Sequence, residues 1–206
     1  MFRFVLRHET RAEHGGLDQH PAFASLLDGT MSLDSYRNLM LAFHGFYLRV
    51  DEPLQQACGR HGLDRFSFVY EPRTAILASD LRVLGTDVPL WTSQSPSVQK
   101  LDVDSIESLG GALYVFEGSL LGASMMCAST DSLLQRFGTG GNVYWKWCRE
   151  AGSKRWAMTC QLIERLATSD QAKARMVDAA QTAFRSFAQW LDHWDDGAFQ
   201  RSRKQC

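Results

Sequence analysis

The sequence predicts an all-α protein that forms a single domain. Apolar residues recur at helical spacing along most of the chain, and no segment alternates between apolar and polar residues as a half-buried strand does. A length of 206 residues and an apolar fraction of 45% are typical of one globular domain with a sizeable core. We expect this domain to span residues 1–196 and a flexible polar tail to form residues 197–206.

The N-terminal region predicts a helix from about residue 3 to residue 15, followed by a shorter one. The Gly15-Gly16 pair is expected to end the first helix, because glycine is common just after the last turn. The second helix begins at Pro21, whose missing N–H is unneeded in a first turn, and stops before Gly29.

Two further helices are predicted before a central loop. Ser32 is a favoured N-cap and predicts a long helix through Leu54, in which Pro53 indicates a kink or break. Glu71–Leu84 reads as the next helix, closed by Gly85. Prolines, serines and threonines without any period predict a loop over residues 86–100.

Four helices are predicted in the C-terminal half of the chain. The first, Asp104–Ser129, carries several glycines. Asn142 is a favoured N-cap for a shorter helix that reaches Cys148, and Ser153–Ala167 forms the next one. The last helix begins near Thr168–Gln171, a capping-box pattern, and keeps an apolar stripe over several turns.

Charge and cysteine usage exclude several classes of protein. A formal net charge of −1 gives no reason to expect nucleic acid or an anionic membrane as the main partner. The N-terminus meets charged residues too early for a secretory signal, and the most apolar run, Leu109–Ala128, carries Glu117 near its middle. Five cysteines without a C-x-x-C pair predict reduced thiols. We therefore expect a cytoplasmic protein that does not span a membrane.

His14 is the histidine with the most informative neighbours. Asp18 lies one turn later on the same face, provided that the helix continues through the glycine pair. A carboxylate there would fix the imidazole tautomer and leave the other ring nitrogen able to ligate a metal. Arg7, two turns before His14, would reach an anionic group on the same ligand, such as a haem propionate. The alternative is a surface or helix-capping role for His14.

Gly118 and Gly122 lie four residues apart in the predicted Asp104–Ser129 helix. Glycine in a helix interior costs about 1 kcal/mol relative to alanine, so several of them require a compensating close approach. Their partner is either a neighbouring helix or a flat ligand. An imidazole on one side and bare backbone on the other would hold a haem while keeping large side chains from its iron.

Other residues with chemical potential belong to weaker patterns. We interpret Glu117 and the Asp51-Glu52 pair as surface or helix-terminal charges rather than catalytic carboxylates. Tyr114 is interpreted, like Trp156, as a core aromatic, with a hydroxyl able to reach the polar edge of a ligand. The sequence contains no glycine-rich dinucleotide motif, no Walker loop and no H-E-x-x-H pattern.

Two segments of the chain resemble the haem oxygenase family. The pattern Leu6-Arg7-x-x-Thr10-x-x-x-His14-x-x-Leu17-Asp18 is similar to the proximal helix of that family. Leu113–Gly122 resembles the distal helix, particularly in bacterial members associated with phytochrome chromophore supply. Two later segments, Gly152–Trp156 and Ala180–Phe184, extend the resemblance from about residue 5 to residue 192.

The resemblance implies a helical bundle in which haem is sandwiched between the proximal and distal helices. His14 would be the axial iron ligand and Asp18 its hydrogen-bonding partner. Gly118 and Gly122 would let the distal helix bend over the oxygen side, where Ser119 replaces an aspartate that organises water in mammalian members. The residues implied to contact the propionates are Arg7, Tyr114, and Lys154 or Arg155.

The implied reaction is the oxidative cleavage of haem to biliverdin, carbon monoxide and ferrous iron. It uses O2 and electrons from a ferredoxin or reductase, and haem is substrate and cofactor together. A phytochrome is a candidate acceptor of the bilin. Two alternatives stay open: a haem carrier or sensor on the same fold that does not degrade haem, and a thiaminase-like helical enzyme, for which Cys127 is the nearest candidate nucleophile.

Overall fold

The computed structural model describes residues 1–88 and 99–195, and the regular structure of these residues is helical throughout. The helices, in chain order, are α1 Phe2–Glu9, α2 Arg11–Asp18, α3 Pro21–Leu27, α4 Leu33–Arg60, α5 Thr74–Val83, α6 Ile106–Met125, α7 Cys127–Arg136, α8 Val143–Leu166 and α9 Asp170–Leu191, with a 3₁₀ turn at Leu63–Phe66. The predicted all-α fold class is confirmed. The predicted tail at residues 197–206 and residues 89–98 of the predicted loop lie outside the described residues.

Helix α6 lies at the centre of the core, where it packs mainly against α8 and α9. A Cβ atom on Gly111 would collide with the Met176 carbonyl oxygen of α9, so the two backbones cross in direct contact. Gly152 of α8 faces Leu120 of α6, with 3.4 Å between the position of a Cβ and that of Leu120. Part of the glycine content is therefore explained by helix packing, one of the two partners that the sequence left open.

The N-terminal segment differs from the single helix predicted. The chain bends at Thr10, whose hydroxyl donates to the Leu6 carbonyl oxygen at 2.7 Å, and α2 begins at Arg11. The prediction that Gly15-Gly16 ends the helix is wrong, because α2 passes through both glycines and ends at Asp18. Pro21, two residues beyond the C-cap Gln19, begins the next helix.

The predicted N-cap at Ser32 is confirmed, the last helix is capped by Ser169 within the predicted Thr168–Gln171 segment, and α4 does not break at Pro53. The Ser32 hydroxyl accepts a hydrogen bond from the Ser35 N–H at 3.0 Å, and the Ser169 hydroxyl accepts one from the Ala172 N–H at 3.1 Å. Helix α4 continues through Pro53 for its full 28 residues. Apolar residues before and after Pro53 are buried in the core, which holds the helix together across the lost hydrogen bond.

Two helices begin at carboxylates supplied by other parts of the fold. Asp51 of α4 accepts hydrogen bonds from the Arg73 and Thr74 N–H groups at the start of α5, both at 2.8 Å. Asp80 of α5 accepts from the Val143 and Tyr144 N–H groups at the start of α8, at 2.9 and 2.8 Å. These bonds satisfy N–H groups that a first helical turn leaves unpaired.

The C-terminal helices are divided differently from the prediction. Asn142 occupies the N-cap position of α8, but its side chain makes no capping bond and donates to Asp131 instead. Helix α8 is one 24-residue helix, whereas two were predicted. The predicted Asp104–Ser129 helix ends at Met125, and α7 follows at an angle of 50°. Among the described residues no single helix is long and apolar enough to cross a membrane; α6 and α7 meet both criteria only when they are taken together, as a bent pair.

Candidate functional site

His14 and Asp18 lie together on one face of α2. The His14 Nδ1 and an Asp18 carboxylate oxygen are 2.9 Å apart, and the two side chains are 62% and 66% exposed. A carboxylate on Nδ1 places the ring proton there, so that Nε2 carries the lone pair. Because the ring is largely exposed, this nitrogen is accessible to a ligand from outside the fold.

Helix α9 sets the position of α2. The His14 ring contacts the edge of the Phe184 ring, with 5.8 Å between their centroids. The Gln181 amide donates to the Glu9 carbonyl oxygen at 2.9 Å, close to the bend between α1 and α2. Arg185 pairs with Glu13 at 3.3 Å. Contacts next to the bend and after it therefore hold the His14 helix against α9.

Tyr114 joins this N-terminal segment to α6. Its side chain is 8% exposed, and the Thr10 and Arg7 side chains lie close enough to act on its hydroxyl electrostatically. Burial raises the pKa of Tyr114, while Thr10 and Arg7 act in the opposite direction. The Trp156 ring of α8 packs against the Tyr114 ring at 5.4 Å between centroids. The structure therefore brings Arg7 and Tyr114 together, two of the residues implied to contact propionates.

Gly118 and Gly122 have different surroundings. A Cβ on Gly118 would lie 3.1 Å from the Trp156 ring, so this glycine makes room for an aromatic side chain of α8. No described atom outside the neighbouring backbone lies within 4 Å of a Cβ position on Gly122. Between them, the Ser119 hydroxyl donates to the Phe116 carbonyl oxygen at 2.8 Å. Open space next to bare backbone is therefore found at Gly122.

Lys154 and Arg155 occupy opposite environments although they are adjacent. Lys154 is exposed on α8, whereas Arg155 is 5% exposed and surrounded by partners. Its guanidinium pairs with Glu117 and with Glu71, each at 2.6 Å, and donates to the Val69 carbonyl oxygen at 3.1 Å. Its bonding capacity is used inside the protein, and of the two residues we keep only Lys154 as a candidate for contact with a ligand.

The sequence patterns did not reveal a buried cluster of charged side chains around Glu117 of α6. Glu117 is fully buried and pairs with Arg73 at 2.8 Å as well as with Arg155, so its interpretation as a surface or helix-terminal charge is wrong. Burial acts to raise the pKa of Glu117, but the two guanidiniums outweigh it and hold that pKa below its usual value. Asp51, also interpreted as a surface or terminal charge, is 5% exposed. One signal was available, because a carboxylate in the middle of an apolar helix needs a cationic partner.

Cys127 lacks the surroundings of a nucleophile. Its side chain is 1% exposed, and burial raises the pKa of its thiol, which reduces the thiolate fraction at neutral pH. No group of three or more histidine, cysteine or acidic side chains in the described part of the chain is arranged to hold a metal ion. The thiaminase-like alternative therefore finds no support in these residues.

Fold and site together define an all-helical protein with an accessible histidine–carboxylate pair beside a glycine-bearing central helix. The sequence model of the Heme oxygenase family matches residues 2–193, so the chain belongs to the haem oxygenase family. A comparison with curated proteins found no match. The family binds haem and degrades it. The residues fit that ligand, because an exposed imidazole with a fixed tautomer is a suitable iron ligand and the open backbone at Gly122 suits a flat molecule.

Proposed function

We propose that this protein is a haem oxygenase that cleaves haem to biliverdin, carbon monoxide and ferrous iron. The observation that carries the proposal is the His14–Asp18 pair at 2.9 Å on an exposed helix face, in a chain of the haem oxygenase family. Bound haem supplies the iron and the macrocycle that O2 and electrons from a ferredoxin or reductase open. The protein binds and orients this substrate.

Within this proposal, His14 would hold the iron through Nε2, while Asp18 would keep the ring proton on Nδ1. A hydrogen-bonded carboxylate raises the basicity of an imidazole ligand and fixes the orientation of its ring. Gly122 keeps a side chain out of the oxygen side, whereas the space beside Gly118 accommodates the Trp156 ring. Ser119 has no useful acid–base chemistry at neutral pH, so its role is to place a hydroxyl and any water bonded to it.

Cationic and phenolic side chains are the candidates for contact with the propionates at the edge of the haem. Arg7 of α1 lies near Tyr114 of α6, and the two side chains would meet the propionates. Lys154, exposed on α8, is the third candidate.

Four described cysteines, at positions 58, 127, 148 and 160, are buried free thiols, in keeping with a reducing cytoplasmic location. A phytochrome as bilin acceptor belongs to the same proposal.

The test is a hemin titration followed by turnover in air. We expect a Soret band to form on titration and to disappear after addition of an electron donor, while a bilin absorption grows. His14→Ala should lose most of the Soret change, whereas His8→Ala, a change to an exposed histidine of α1, should behave as the wild type. A Soret band that persists through repeated additions of donor would instead identify a carrier or sensor. Absence of any Soret band would overturn haem as the ligand.

A further inference from the structure

Arg73 is a buried cation with only part of its hydrogen-bonding capacity used. Its side chain is 0% exposed, and one terminal nitrogen, Nη2, donates to Glu117 at 2.8 Å. The Nε and Nη1 atoms have no hydrogen-bond partner among residues 1–88 and 99–195. Two N–H-bearing nitrogens of a buried charge thus face the protein interior without an acceptor among the described residues.

Aromatic rings surround this guanidinium. Its central carbon lies 4.5 Å from the centroid of the Tyr70 ring, 5.6 Å from that of Tyr47 and 5.7 Å from that of Trp147. Such faces attract a cation, but they do not replace hydrogen-bond acceptors for individual N–H groups. The rings therefore account for the location of the charge and leave its donors to be satisfied.

Water is the ligand that this site suits. Buried polar groups without a protein partner are commonly bonded to internal water, which itself needs two to four polar contacts. An anion would find the charges already balanced, because the two guanidiniums of Arg73 and Arg155 pair with two carboxylates, those of Glu117 and Glu71. A neutral molecule that accepts hydrogen bonds satisfies Arg73 without adding charge.

The cluster adjoins the segment of α6 that faces the candidate haem site. Glu117 is held between Arg73 and Arg155 and is followed directly by Gly118 and Ser119. Tyr47, whose ring centroid lies 5.6 Å from the central carbon of the Arg73 guanidinium, is also a close neighbour of Ser119 and Tyr144. A change in the position of Glu117 would therefore be transmitted to Gly118 and Ser119 through the helix backbone.

We propose that Arg73 binds ordered internal water through Nε and Nη1, and that this hydrated ion cluster positions the Glu117–Ser119 segment of α6. Arg73 is a positioning residue in this scheme, because it acts through Glu117. The water site stands on the geometry of the protein alone. Its consequence for bound haem rests on the proposed function.

The first test is a crystal structure of the wild-type protein without haem, at a resolution that shows ordered water. We expect water within hydrogen-bonding distance of both nitrogens, at about 2.7–3.2 Å. Absence of ordered water at both Nε and Nη1 would overturn the proposal, and so would a protein acceptor supplied by residues 89–98 or 196–206. Neither result depends on haem binding.

The second test compares Arg73→Lys and Arg73→Met with Arg136→Met. Arg136 donates to the Gly29 and Met31 carbonyl oxygens at 3.0 and 2.7 Å, so its replacement removes a similar number of bonds at a more exposed position. Arg73→Met should lower the Tm by about 6–20 °C, because it leaves Glu117 buried with one partner fewer. Arg73→Lys keeps the charge and should fold even if Arg73→Met does not.

The positioning role has a spectroscopic readout that stability alone would not move. In the ferric haem complex, Arg73→Lys should shift the pH midpoint of the acid–alkaline absorption change, while Arg136→Met should leave it at the wild-type value. An unchanged midpoint in Arg73→Lys would reject the positioning role. Failure of the wild type to bind haem would instead count against the proposed function, and the crystallographic test would still decide the water site.

Discussion

The His14 imidazole and the Asp18 carboxylate form a hydrogen bond of 2.9 Å across one turn of α2, a helix that passes through two adjacent glycines between them. A helix end at the glycine pair would have separated the two side chains. Position 16 is exposed and position 15 half-buried, and no described atom lies within 4 Å of a Cβ position at either one. Close packing therefore does not explain these glycines, although packing explains Gly111 and Gly152.

Asp18→Asn should weaken haem binding without unfolding the protein. An amide accepts a hydrogen bond from Nδ1 but does not supply the negative charge that makes the imidazole a stronger base. Loss of such a partner typically lowers metal affinity about 10- to 100-fold. The Kd from hemin titration measures the effect. Asp34→Asn, which alters an exposed carboxylate paired with Arg37, serves as the control and should leave the Kd unchanged.

Gly118→Ala and Gly122→Ala should separate packing from ligand access. Alanine at 122 meets no described atom and should stabilise the protein without haem by up to about 1 kcal/mol, since it favours the helix. The same methyl group should weaken haem binding if the open space beside Gly122 accommodates the haem. At 118 the methyl group would press on the Trp156 ring at 3.1 Å, so the helix-propensity gain should be reduced or reversed. Thermal unfolding and hemin titration of both variants measure these differences, and equal haem affinity for wild type and Gly122→Ala would refute the assignment.

The stability of the protein should decrease as the pH falls below 6.5, in part because of His20. Burial lowers the pKa of His20 from its usual 6.5, against the opposing effect of Asp192, and its Nδ1 accepts the Ala22 N–H at 3.2 Å, which requires an unprotonated nitrogen. A depressed folded-state pKa means that the unfolded chain binds the proton more tightly. The stabilisation is therefore complete above pH 6.5 and is lost as the pH falls through the folded-state pKa.

His20→Asn is the matched variant for this pH dependence. Asparagine keeps a side-chain acceptor at the N-cap of α3 but does not titrate in this range. Urea denaturation at several pH values should show a smaller loss of stability below pH 6.5 in His20→Asn than in the wild type. If the free energy of unfolding falls equally with pH in the two proteins, His20 is excluded as a source of this pH dependence. His44, whose pKa burial also lowers, would then be the next candidate.

Asp80→Ala should destabilise the protein more than Asn142→Ala, although Asn142 occupies the N-cap position of α8. Asp80 accepts two N–H groups of the first turn, whereas Asn142 makes no capping bond. We expect losses of about 2 kcal/mol for Asp80→Ala and about 1 kcal/mol for Asn142→Ala in the free energy of unfolding. Urea denaturation gives both values, and the reverse order would show that the N-cap residue, and not Asp80, stabilises the start of α8.

Local patterns were enough for much of the architecture. The start of α4 at Ser32 and of α9 at Ser169 follow from the chemistry of N-caps, which acts within three residues. The pairing of His14 with Asp18 follows from helical spacing. These features depend on neighbours in the chain, which a sequence displays directly.

Features that depend on distant residues could not be predicted in the same way. The starts of α5 and α8 rest on Asp51 and Asp80, which are 22 and 63 positions from the first N–H group that each accepts. The burial of Glu117 depends on Arg73 and Arg155, which come from two other segments of the fold. A charge in an apolar helix indicates that some partner exists, but the sequence does not say which residue it is.

The sequence by itself determined the helical class, the family and the histidine–carboxylate pair, because periodicity, capping and motif spacing are local or collinear properties. The tertiary structure alone decided that Arg155 pairs with Glu117. It also decided that Gly111 lies against a helix backbone, that Gly118 lies against a tryptophan ring and that Gly122 borders open space. The reason is physical. Identical residue types acquire different roles according to which surfaces the folded chain brings within a few ångströms of them, and that arrangement is set by the packing of the whole bundle.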